Sequence, residues 1–102
     1  MVFKALDLRY KDYDVSEPFP QNDPRTSGGF DLTPLARSDQ QEVVYFINQC
    51  YERWNWPPYA KNPGRKIEIL IRHYIPDDIS YRKDILDWIV RNYRHYWHRL
   101  PG

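Results

Sequence analysis

Cysteine is nearly absent from this sequence: Cys50 is its one thiol. It has no partner for an internal disulfide, so the sequence reads as one built for a reducing compartment. Charge of one sign is also lacking, because 15 Lys and Arg stand against 14 Asp and Glu, a net +1. That balance excludes a chain-wide polycation, and any electrostatic footprint must be local. No apolar run approaches the roughly 18–20 residues of a membrane span. The opening MVFKALDLRYKDYD does not follow the charged-then-apolar plan of a secretory signal, so the expected location is cytosolic. Repeats and low-complexity tracts do not occur.

Catalytic motifs are missing as well. There is no phosphate-loop glycine pattern, nucleophile elbow or zincin helix. Cys50 lies on an apolar helical pattern with no base placed beside it, which suits a small core residue rather than a nucleophile. Asp77-Asp78 and the pair Asp84/Asp87 could serve acid–base chemistry. Their positions fit helix capping and first-turn dipole stabilisation equally. His95 and His98 with His73 supply at most three nitrogens where structural zinc takes four ligands, often Cys. The reading is of a non-enzymatic binding protein with no metal and no cofactor.

Aromatic residues are what the sequence has in excess. Phe, Trp and Tyr make up 17% of its 102 residues. Rings of on the order of 150–250 Å² each can hold together a core short of Leu and Val. They also exceed what one small domain buries, and surplus rings belong at interfaces.

The composition changes near Ser38. From Asp14 to Arg37 the prolines, the Gly28-Gly29 pair and the run SEPFPQNDPRTSGG preclude a sustained helix. Residues 1–37 are therefore read as an extended, mostly irregular arm, open to protease between Asp14 and Arg37. Val2 to Tyr10 within it could be a short strand or an extended segment. Residues 38–102 read as a helical domain. Ser38 and Gln41 form a capping box, after which Val43, Val44, Phe46, Ile47, Cys50, Tyr51 and Trp54 share a face, ending before Pro57-Pro58. Arg65 to Ile75 suits a helix through Ile67, Leu70, Ile71 and Tyr74, although Ile67, Ile69 and Ile71 alternate as in a strand. A last helix, capped by Asp78 or Ser80, carries an inward stripe of Ile85, Ile89, Tyr93, Tyr96 and Leu100. The expected fold is a small, mainly α, three-helix domain, or α+β if 66–72 forms a strand.

Charge separates along the chain. Up to Gln41 five basic residues face seven acidic ones, which leaves ten of the 15 basic and seven of the 14 acidic residues for the remainder. On the last helix Arg91, Arg94, His95 and His98 fall on one face. Arg99 is close by, no acid follows Asp87, and Trp88, Tyr96 and Trp97 interleave with the cations. Guanidinium forks grip phosphate oxygens and rings stack bases. The same stripe also fits an ordinary solvated helix face with cations at its C-terminus. Lys61, Arg65 and Lys66 around Asn62-Pro63-Gly64 form a second basic spot.

Three stretches carry a family resemblance: Arg53-Trp54-Asn55-Trp56-Pro57, Gly64-Arg65-Lys66-Ile67-Glu68-Ile69, and Ser80 through Tyr96-Trp97 to Pro101-Gly102. In this order, over roughly residues 41–102, they resemble the ProQ/FinO family of bacterial RNA-binding proteins. The resemblance implies recognition of structured RNA on a basic concave face, with Lys66 at a family lysine that contacts RNA. Glu68 stands where that family has a small residue, and the first 37 residues have no counterpart. The leading expectation is an RNA-binding module using Lys66, Arg65, Arg91, Arg94, His95, His98 and Arg99 for phosphates and Trp97 for stacking. The second is a protein-interaction module, such as a phage-encoded host-factor inhibitor or a small subunit of a larger assembly.

Overall fold

The computed structural model describes residues 3–14 and 34–100. The proline- and glycine-rich run from residue 15 to 33, read as a protease-sensitive arm, lies outside them. The fold is mainly helical, as expected. Among the described residues three α-helices, α1 (Gln40–Trp54), α2 (Asn62–Ile69) and α3 (Arg82–Tyr96), carry it. Single-turn helices at Ala5–Asp7 and Trp97–Arg99 and a π-helical turn at Leu70–Tyr74 complete it. Among the described residues there is no strand, only two isolated bridges, Asp14 with Asp39 and Pro34 with Tyr81. The ambiguous stretch after Arg65 is thus helical, and the opening segment turns at Ala5–Asp7 rather than forming a strand.

Helix α1 starts one residue later than the capping-box reading. Asp39, not Ser38, is the cap, and its carboxylate accepts from the backbone N–H of Gln41 at 2.9 Å and of Glu42 at 3.4 Å. A carboxylate satisfies two orphan donors there and also meets the positive end of the helix dipole, which a serine hydroxyl does not. The predicted apolar face is buried from Val43 to Tyr51. The helix ends where Asn55 turns left-handed, at φ 53°. Asn tolerates that conformation better than other residues with a side chain. The N–H of Trp56 then donates to Tyr51 O at 3.1 Å and that of Asn55 to Glu52 O at 3.4 Å, the paired bonds of a Schellman ending.

Pro63 sits in the first turn of α2, where it has no helical N–H to lose. No side chain of the preceding residue caps this helix. Tyr51 does part of that work: its buried phenol accepts from Gly64 N at 3.2 Å and donates to Ala60 O at 2.5 Å. Arg37 gathers carbonyls of the π-helical turn and of the segment that follows it, its guanidinium donating to Ile71 O at 3.2 Å, to Ile75 O and Pro76 O at 2.8 Å, and to Ile79 O.

Neither Asp78 nor Ser80 caps α3. Tyr81 holds the cap position without a side-chain bond, and the Ser80 carbonyl before it accepts from Leu35 N at 2.8 Å. Ile85, Leu86 and Ile89 face the core, with Leu100 closing it. Tyr93 departs from the inward stripe, being 37% exposed.

The described N-terminal residues pack into the same core as the helices. Phe3 is fully buried and its backbone pairs with the Asn48 amide, N to Oδ1 at 2.8 Å and O to Nδ2 at 2.7 Å. Leu8 and Leu35 are buried with it. Glu68, itself at 0% exposure, anchors this segment: its carboxylate accepts from Arg9 N at 2.6 Å, Tyr10 N at 3.1 Å and Tyr13 Oη at 2.6 Å. Three charge-assisted bonds compensate its desolvation. Glu68 is therefore withdrawn from the surface.

Candidate functional site

The Schellman ending of α1 has a consequence for its side chains. Reversal of the backbone at Asn55 brings the Trp56 ring back beside Trp54, their centroids 5.2 Å apart and planes 27° from parallel. Trp56 also packs edge-on against Tyr51 at 5.2 Å, which fixes it to the core.

Opposite, α3 contributes Ile89 and Tyr93, and the single turn after it contributes Trp97. At about 100° per residue, positions 89, 93 and 97 fall within one narrow sector of the helix. Trp97 lies 5.8 Å from Trp56 and meets Tyr93 edge-on at 6.4 Å. The result is a cleft of about 240 Å³ lined by Trp54, Trp56, Ile67, Ile89, Tyr93 and Trp97. Ile67 and Ile89 are buried and form an apolar floor. The four rings stand around it.

Two cations border the rings. The Lys66 ammonium is 5.1 Å from the Trp97 ring centroid and the Arg94 guanidinium is 6.0 Å from that of Tyr93. Lys66 and Trp97, each singled out in the sequence for RNA contact, are thus brought together by the packing of α2 against the chain end. Arg94 stands on α3 between the cleft sector and the outward sector that carries Arg91 and His95.

Arg91, Arg94, His95, His98 and Arg99 are all exposed. Among the described residues none of the five joins an ion pair. The ion pairs of the described residues lie elsewhere: Asp7 with Lys61 at 3.3 Å, Asp77 with Arg37 at 3.9 Å, Glu42 with Arg82 at 3.3 Å, and Asp12 with Arg72. Arg72, whose cationic form Asp12 favours, lies 4.2 Å over Tyr10 and 5.5 Å over Tyr13. It belongs to the N-terminal clamp rather than to the terminal basic face.

Arg65 is drawn away from the predicted group. Its Nε donates to Asp7 O at 3.0 Å, so part of its fork is committed to the N-terminal turn. Trp88 and Tyr96 do not interleave with the cations as ligand-facing rings. They stack on each other at 5.9 Å and 14°, half-buried, with Tyr74 against Tyr96 at 4.8 Å.

Burial pushes the Cys50 thiol far above its ordinary range, which keeps it protonated and unreactive. Among the described residues no group of three or more His, Cys, Asp and Glu side chains could hold a metal ion, and no helix is long and apolar enough to cross a membrane.

The sequence reading missed Trp54, Trp56 and Tyr93 as cleft walls, having set Trp54 and Tyr93 on inward faces and given Trp56 no role beyond the family resemblance. The signal was the Trp-Asn-Trp spacing before Pro57-Pro58, since Asn is the residue that most readily reverses a helix end. Compared with known proteins, the chain matches no family model, no curated protein and no solved structure.

Proposed function

We propose that this protein is an RNA-binding module whose phosphate contacts come from Arg91, Arg94, His95, His98, Arg99 and Lys66, with Trp97 as the stacking ring. One observation carries the reading. A row of exposed cations, free of ion pairs among the described residues, runs beside a cleft walled by aromatic rings. Phosphate neutralisation needs such cations and unpaired bases need such rings. The resemblance of residues 41–102 to ProQ/FinO proteins points the same way. Burial of Glu68 removes the one residue in the Gly64–Ile69 stretch that would oppose RNA. A cytosolic location and the absence of catalysis belong to this proposal.

An RNA mobility-shift titration at two salt concentrations tests it. If four phosphates are contacted, affinity falls on the order of a hundredfold between 50 and 200 mM salt. The double variant Arg91→Ala, Arg94→Ala weakens binding and flattens the log–log salt slope by about 1.4–1.8. Equal affinity of the variant and the wild type would refute the RNA face.

A protein partner is the second reading, favoured by a separate feature. Leu6 is 88% and Tyr59 84% exposed. The Asp7–Lys61 pair holds together the two turns that carry them. Binding through these side chains would respond weakly to salt.

A further inference from the structure

We infer that the cleft between the end of α1 and the last turns of α3 is a receptor for a single unstacked nucleobase, with Lys66 and Arg94 receiving the phosphate attached to it. This deepens the RNA reading above and rests on it for its biological setting.

Shape is the first argument. The cleft has an apolar floor, Ile67 and Ile89, and walls made of Trp54, Trp56, Tyr93 and Trp97. At about 240 Å³ it is smaller than the roughly 300–1,000 Å³ usual for drug-sized ligand sites. It suits one flat ring system rather than a helix or a folded surface. Base faces stack on indole and phenol rings with little regard to which base is offered, since every base has a π-face.

Charge then chooses among the ligands that rings can hold. Quaternary ammonium groups favour aromatic cages. Here the Lys66 ammonium already lies over Trp97 and the Arg94 guanidinium over Tyr93. Among the described residues no acidic side chain lines the cleft, so they offer a cationic guest repulsion and no counter-charge. A proline-rich peptide could use the rings, but it would leave both cations idle. A nucleotide uses both features, its base among the rings and its phosphate on the cations.

The 102-residue chain can be tested with adenosine 5′-monophosphate, following the four indole N–H resonances by NMR, with ribose 5-phosphate as the probe lacking a base. The nucleotide is expected to shift the Trp54, Trp56 and Trp97 signals in a saturable way while ribose 5-phosphate leaves them in place. Tyr93→Ala, a change at a partly exposed wall, should weaken the nucleotide about tenfold. Lys66→Ala should weaken it too and reduce its salt dependence, with melting curves showing both variants folded. No saturable shift with the nucleotide, or equal shifts with ribose 5-phosphate, overturns the inference. Retention of RNA binding with unmoved indoles sinks the base site and spares the RNA reading. Nucleotide shifts without any RNA binding do the reverse.

Discussion

Gly64 occupies the first turn of α2, where alanine would be the better helix former by about 1 kcal/mol. Space explains the glycine. A Cβ at this position would stand 2.5 Å from Cδ2 and Cε2 of the Phe3 ring and 3.0 Å from Cγ2 of Ile47. Phe3 is fully buried and its backbone is held by Asn48, so the ring has little room to retreat. Overpacking of this kind costs typically 1–3 kcal/mol. Gly64→Ala should therefore lose stability, by up to about 2 kcal/mol net, as read from the midpoint of urea unfolding. A gain in stability would mean that Phe3 is not seated against α2. Glu68 and Arg37 have the same character at this scale: each is a charged residue that binds mostly backbone groups of a distant segment, and each fixes chain path rather than ligand.

At the scale of elements, α1 and α3 are joined by the ion pair of Glu42 and Arg82. Arg82 is at 0% exposure and its Nη2 donates to Glu42 Oε1 at 3.3 Å. Glu42 Oε1 also accepts from Ala36 N at 3.3 Å, which ties in the segment before α1. Removing one partner of such a pair leaves a buried charge and costs about 3–5 kcal/mol. Arg82→Met and Glu42→Leu should each cost this much, while the double variant should cost far less than their sum. Additive losses in that cycle would mean that the two side chains do not meet. Neither residue was singled out in the sequence, because an Arg and a Glu at helix beginnings read as ordinary solvated positions. Only the approach of two helices converts them into a core pair.

For the whole molecule, the pH dependence of stability follows from several protons held by burial. Burial raises the Cys50 thiol, and burial with the neighbouring Glu68 carboxylate raises the Tyr13 phenol. Tyr51 is raised by burial as well. In each case the folded state keeps a proton that the unfolded chain gives up near its ordinary value, about 8.5 for Cys and 10 for Tyr. Unfolding then releases protons, so stability is full below these values and falls as pH rises beyond them. Between pH 9 and 11 urea midpoints should drop steadily. Buried Cys50 contributes at most about 1.4 kcal/mol per pH unit. Cys50→Ala and Tyr13→Phe should each flatten the decline. A flat profile in the wild type would place these groups in solvent.

Local pattern in the sequence was enough for the helical class and for the buried faces of α1 and the first half of α3, because helical periodicity is a property of neighbours three and four apart. It also marked Lys66 and Trp97. Tertiary structure alone decided that Glu68 would be buried under the N-terminal segment, that Arg82 would enter the core, and that Trp54, Trp56, Tyr93 and Trp97 would enclose one cleft. The physical reason is distance along the chain. Whether a ring or a charge faces water, a neighbour or a ligand depends on segments tens of residues away, and periodicity is blind to them.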